Sequence, residues 1–154
     1  MKPEKISLLG EMLPAERVWM YKNTPAKKEV IERLVALACR GEETLDPQDV
    51  LTQVLKREES LGTALETGLS IPHARLEELD HFRAALAVLP CGTRESKTGR
   101  AQAVFLLLSP AKPAFFQKHL QTLAALAEKF QPEFIAELSA CSAAKEAAEK
   151  IAAR

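Results

Sequence analysis

Two histidines and an arginine are the side chains in this sequence whose types and settings could do chemistry together. His73 follows Ile71-Pro72 in the stretch TGLSIPHARLEE, residues 67–78. Proline biases the residue before it toward extended geometry, so Ile71 is expected to end a strand and His73 to begin the loop beyond it. Strand ends in open α/β sheets are where ligand crevices form. An imidazole with a reference pKa of about 6.5 is largely neutral at cellular pH, and its lone pair can serve as nucleophile, general base or metal ligand.

His119 is placed near the start of a helix, where free N–H groups and the macrodipole favour anions. Arg57 falls at a helix end, just before the turn that leads to His73. Two imidazoles and a guanidinium brought together would suit one task, holding a phosphoryl group on one ring while the others neutralise its oxygens. Spacing alone leaves open whether they meet. The plain alternative for His73 is a half-buried ring satisfied by a backbone carbonyl. A metal hydrolase with His73 and His119 as ligands is another, lacking an obvious third ligand at motif spacing. Arg75 could meet the phosphoryl group or an acidic partner, or be a surface residue. His81, among charges, reads as solvent-facing, and Cys91 as a loop thiol with no activating base nearby. Phe115 and Phe116 could form an exposed docking rim or ordinary core.

The elements that must position these residues are legible in the hydrophobic pattern. In NTPAKKEVIERLVALACRG, Thr24 is a candidate N-cap, Pro25 suits the first helical position and Gly41 is a stop. Asp46 and Pro47 open a second helix, with Val50, Leu51, Val54 and Leu55 inward, expected to run out near Arg57. TALETGLSI reads as one or two short strands around Gly68, AALAVLP as another, and VWMY at 18–21 as a weaker one. AVFLLLSP is a continuous apolar run, which predicts a strand covered on both faces. A helix follows with Leu120, Leu123, Ala124, Ala127 and Phe130 on its apolar face, then two more helices around 132–138 and 142–153. The order predicts an α/β fold: a single-domain sandwich over 1–154, with a mixed, mostly parallel sheet flanked by helices.

Composition narrows the class. Of 154 residues, 47% are hydrophobic and 27% charged, the make-up of an ordinary globular chain. Lys plus Arg and Asp plus Glu both number 21, which gives no support for nucleic-acid or anionic-membrane binding. Three scattered cysteines without a C-x-x-C pair argue against a disulfide framework or zinc knuckle and fit a reducing cytosol. With neither an apolar signal segment nor a run long enough to cross a bilayer, a cytoplasmic location without membrane insertion is expected.

The string REESLGTALETGLSIPHA resembles the active-site segment of the fructose/mannitol-type enzyme IIA of the bacterial phosphoenolpyruvate:sugar phosphotransferase system, a group that includes the nitrogen-regulatory enzyme IIA proteins. AKKEVIERLVALA is similar to the family's first helix, VFLLLSP to its central strand, and KHLQTLAALAEKF to the helix carrying its second active-site histidine. I-P-H-A, with R-E about sixteen residues upstream and H-L opening a late helix, carries the resemblance as a combination.

The resemblance implies His73 as the phosphorylated residue, His119 as the neighbouring imidazole that stabilises the phosphorylated state, and Arg57 as the guanidinium beside it. It implies phospho-HPr or a paralogue as donor. The recipient would be an enzyme IIB cysteine, or a target protein regulated by the phosphorylation state, with the nitrogen-regulatory type favoured. No cofactor or metal is called for, since transfer between two protein nucleophiles can rely on protein donors. A free-standing domain, with no enzyme IIB or IIC segment following, is expected. Glu66 and Ala64 stand where the family usually has glycine, and PAKPAFFQKH is longer and more aromatic than usual before the second histidine. The alternative that Glu66 raises is a protein-binding module that keeps the enzyme IIA fold without being phosphorylated.

Overall fold

All eight residues of Ala103–Pro110 are buried, and this strand, β5, is the spine of the fold. The computed structural model describes residues 8–61, 65–94 and 100–153. Along the chain lie α1 (Leu8–Met12), β1 (Val18–Met20), α2 (Lys27–Cys39), α3 (Pro47–Leu61), β2 (Leu69–Ser70), β3 (His73–Leu76) and β4 (Arg83–Val88). After β5 come α4 (Phe116–Lys129), α5 (Pro132–Ser139) and α6 (Ala144–Ala152), with short 3-10 turns at Ala15–Arg17 and Pro113–Phe115.

The sheet runs β1-β4-β5-β2, and β3 also pairs with β5. The β1–β4, β2–β5 and β3–β5 pairings are parallel, while β4 and β5 form an antiparallel pair. Side chains alternate across the central strands as a pleated sheet demands. Ala84, Leu86, Val88, Ala103, Phe105 and Leu107 join one core with residues of α1, α4, α5 and α6. Ala85, Ala87, Val104, Leu106 and Leu108 join the other, with α2 and α3. Each large apolar side chain so buried contributes about 1.5–3 kcal/mol, which explains why β5 carries no charge. This is the expected α/β sandwich, a mixed and mostly parallel sheet between helical layers.

Several local expectations hold. The Asp46 carboxylate accepts the Gln48 N–H at 3.1 Å as α3 begins. Gly41, with φ of +84°, takes the left-handed conformation that ends α2. Others are corrected. The N-cap of α2 is Ala26 rather than Thr24, and Glu29 reaches back to accept the Ala26 N–H at 3.1 Å. An acidic side chain at the third helical position, in the first turn, thus satisfies the N-cap N–H at the start of α2.

α3 does not stop near Arg57 but continues to Leu61, because Glu58 extends its buried stripe of Val50 and Val54. The Glu58 carboxylate meets the Lys27 ammonium of α2 at 2.6 Å, with both side chains buried. Residues 65–68 form a turn rather than a strand, closed by the Gly68 N–H donating to the Leu65 carbonyl at 3.1 Å. Thr63 and Ala64 of the expected strand lie outside the described residues. α1 was not anticipated; it is only five residues long and buries Leu9 and Met12. Among the described residues no helix is long and apolar enough to cross a membrane.

Candidate active site

Ser70 ends β2 and His73 opens β3, and both strands pair with β5 in the same direction. The expectation that His73 begins a loop is therefore corrected: it is the first residue of an edge strand. Pro72 has no N–H and interrupts the ladder, but its carbonyl still accepts from the Leu107 N–H at 3.0 Å, so the chain runs on past it. In the register, His73 sits opposite Leu107 and Arg75 opposite Ser109. Ala74 and Leu76, between and beyond them, point into the opposite core. Alternation therefore turns both His73 and Arg75 toward the face covered by α4.

The two ring nitrogens of His73 are held differently. Nδ1 lies 2.7 Å from the Ile71 carbonyl oxygen, which can only accept, so Nδ1 carries the proton. Nε2 receives the Arg57 Nε–H at 3.0 Å, so Nε2 carries the lone pair. Burial pushes the pKa of this ring below its ordinary value; the Arg57 charge adds to that, and the Ile71 carbonyl opposes it. The ring is a neutral imidazole with its free pair at Nε2.

His119 projects from the first turn of α4 and is buried, its ring centroid 5.7 Å from that of His73. Its Nδ1 lies 2.7 Å from the Ser109 Oγ at the end of β5. Burial first, then the neighbouring His73, Arg75 and Arg57, push its pKa down to about 4. The expected apolar face of α4 is turned: the buried stripe is His119, Thr122, Leu126 and Phe130, while Leu120, Ala124 and Ala127 face outward. Reading only apolar letters missed this, because two of the four inward residues are polar. The Thr122 hydroxyl is satisfied by donating to the Lys118 carbonyl at 2.7 Å.

The His73 and His119 rings and the Arg57 guanidinium line one cavity of about 460 Å³, with Gln53, Ala74, Phe116, Leu120 and Leu123 in its wall. Arg57, His73 and His119, the three residues singled out from the sequence, do meet there. Arg75 joins them. Its Nη2 donates to the Pro110 and Lys112 carbonyls at 3.1 and 3.2 Å, and its guanidinium lies 4.9 Å from the centre of the Phe116 ring. Its Nε is buried and has no hydrogen-bond partner among the described residues. The wall thus carries two guanidiniums and two imidazoles with no carboxylate, a setting for an oxyanion. Among the described residues no three His, Cys, Asp or Glu side chains are grouped to hold a metal ion.

Phe115 and Phe116 divide the two roles considered for them. Phe115 packs edge-on against Phe82, with centroids 6.1 Å apart, whereas Phe116 is 46% exposed and stacks on His119. Glu66 is exposed in the 65–68 turn and does not line the cavity, and Ala64 lies outside the described residues. His81 is not merely solvent-facing: it bridges Asp80 at 2.7 Å and Glu42 at 2.9 Å. Ser109 is the site residue the sequence reading passed over. Its signal is parity, since it falls on the same face of β5 as Ala103, Phe105 and Leu107.

Comparison with known proteins gives a consistent picture. Residues 11–153 match the family described as phosphoenolpyruvate-dependent sugar phosphotransferase system, EIIA 2. A nitrogen regulatory protein of Escherichia coli is 31% identical over 114 residues, covering 71% of this chain and 68% of that protein. The crystal structure of the nitrogen regulatory protein IIA-Ntr from Neisseria meningitidis superposes with a TM-score of 0.78 at 28% identity, over 94% of this chain and 99% of that one. Enzyme IIA for mannitol from Escherichia coli, in its complex with phosphorylated enzyme IIB, shares the fold with a TM-score of 0.73 at 20% identity, over 93% and 100% of the two chains. From the matched span and the relatives together, this chain belongs to the EIIA 2 family of the phosphoenolpyruvate-dependent sugar phosphotransferase system.

Proposed function

We propose that His73 accepts a phosphoryl group on Nε2 from the phosphohistidine of an HPr-like carrier protein. The observation that carries this reading is the division of labour on the His73 ring, with Nδ1 held by the Ile71 carbonyl and Nε2 free but for a guanidinium. The donor phosphohistidine enters with its second ring nitrogen protonated. The Nε2 pair attacks phosphorus as the donor N–P bond breaks, and the donor leaves as neutral imidazole. His73 becomes the phosphorylated ring and takes over the positive charge, its Nδ1 proton already on an acceptor, so no proton need move. Arg57 must swing from Nε2 to the phosphoryl oxygens as the bond forms, and Arg75 can add its unpartnered Nε–H. Catalysis of this kind is mostly positioning and charge neutralisation.

Two outputs follow from such a phosphohistidine, transfer to an enzyme IIB cysteine or control of a target protein. The likeness to nitrogen regulatory proteins favours control. Both outputs belong to a cytoplasmic protein. Incubation with phosphoenolpyruvate, enzyme I and HPr, followed by intact-mass measurement, tests the reading. A single phosphate adduct on the wild type that disappears in His73→Ala is the expected result. An unmodified wild type would leave the fold as a binding module, and an adduct surviving His73→Ala would move the acceptor elsewhere.

A further inference from the structure

The geometry points to Ser109 as a positioning residue that fixes His119 in the tautomer protonated on Nε2, so that this N–H donates to the phosphoryl group carried by His73. This inference rests on the phosphoryl-acceptor reading above and concerns how the second imidazole serves it.

Ser109 is fully buried at the end of β5, and among the described residues its hydroxyl has one hydrogen-bond partner, His119 Nδ1 at 2.7 Å. A hydroxyl carries one proton and two lone pairs. If Nδ1 were the donor, the serine proton would be left buried without an acceptor, which is more costly than an idle lone pair. The hydroxyl therefore donates, Nδ1 accepts, and a neutral ring must carry its proton on Nε2, since the bond made by one nitrogen sets the state of the other. Burial and the surrounding positive charge keep the ring neutral, with a pKa of about 4.

With Nδ1 committed to Ser109, Nε2 is the nitrogen left for the cavity that His119 lines. The 5.7 Å between ring centroids places a phosphoryl group on His73 within reach of it. In the other tautomer a lone pair would face the phosphoryl oxygens and repel them. The two histidines thus carry opposite tautomers for opposite tasks. The Ile71 carbonyl keeps a lone pair at Nε2 of the nucleophile, and Ser109 keeps a proton at Nε2 of its neighbour.

The test is nitrogen-15 NMR of the histidine-labelled, unphosphorylated protein, followed by the lifetime of the phosphorylated form. The expected wild-type spectrum has a protonated Nε2 and an unprotonated Nδ1 on His119. Ser109→Ala is expected to give a mixture of tautomers and roughly three- to tenfold faster loss of phosphate, the loss of one hydrogen bond. Ser109→Thr keeps the hydroxyl and should restore both. A proton on Nδ1 of His119 in the wild type, or an alanine variant with unchanged tautomer and lifetime, overturns the assignment to Ser109. Because the tautomer is read before phosphate is added, the expected spectrum in a protein that takes no phosphate would instead overturn the acceptor reading, and with it the task assigned to the N–H.

Discussion

The Arg57 guanidinium donates from Nε to His73 Nε2 across 3.0 Å, reaching from α3 over the edge strand that His73 opens. One charged group thereby disfavours protonation of the ring and stands at the atom where the proposed phosphoryl group would bring negative charge. Arg57→Ala should slow single-turnover phosphorylation by roughly 10- to 100-fold, the worth of one charge-assisted hydrogen bond. Arg57→Lys should recover only part of this, since a point charge cannot reproduce the planar fork. Full recovery with lysine would show that charge alone is needed.

The histidines predict a pH dependence of stability with a definite sign. Folding leaves His73 below the ordinary value of 6.5 and His119 at about 4. Below about pH 6.5 the unfolded chain binds protons that the folded rings refuse, so stability falls as pH drops from there toward 4. His81 acts in the opposite sense. Its bond to Asp80, aided by Glu42, raises its pKa, so its contribution is present below 6.5 and lost as pH rises through the folded value. Urea midpoints measured between about pH 7 and pH 4 should decline on the acid side for the wild type. His119→Asn should flatten that decline, and His81→Ala should remove the loss of stability seen as pH rises above 6.5. An unchanged slope in His119→Asn would contradict the burial of a neutral ring.

Lys27 and Glu58 join α2 to α3 by a buried pair at 2.6 Å, one residue from Arg57. Removing one partner strands the other charge, which costs about 3–5 kcal/mol; replacing both with apolar residues of similar size is often near neutral. Lys27→Met and Glu58→Leu should each lower the urea-derived stability strongly, and the double variant should regain most of the loss. Additive losses would mean that the two charges do not depend on each other.

Leu120 is 49% exposed on the rim of the His73 cavity, next to the half-exposed Phe116. Phe116 also stacks on His119 and lies under Arg75, so only Leu120 isolates docking from the site itself. Leu120→Ser should leave stability within about 0.5 kcal/mol. It should raise the KM for a phosphorylated carrier several-fold, with kcat nearly unchanged, as expected of an apolar docking contact. An unchanged KM would place the carrier elsewhere.

Much of the scaffold could be read from sequence because its signals are local. Asp46-Pro47 opens α3, Gly41 ends α2, and the apolar run of β5 reports a strand buried on both faces. The phase of α4 could not be read this way, since His119 and Thr122 are inward residues that hydropathy counts as outward. The length of α3 was missed for the same reason: Glu58 is a buried charge whose partner lies on another helix. Ile71-Pro72-His73 pointed to the proposed phosphoryl acceptor, but meeting Arg57 and His119 is a long-range fact that spacing cannot supply. Only the family resemblance anticipated it. Ser109 escaped even that, because it looks like the frayed end of an apolar strand until the register places it on His119.

Site-resolved NMR of the phosphorylated protein, with nitrogen-15 histidine and phosphorus detection, tests the proposed chemistry most directly. A phosphoryl group bonded to Nε2 of His73, with Nδ1 of that ring still hydrogen-bonded, is the predicted result. Phosphate on Nδ1 of His73, on His119 or on any other side chain would contradict it.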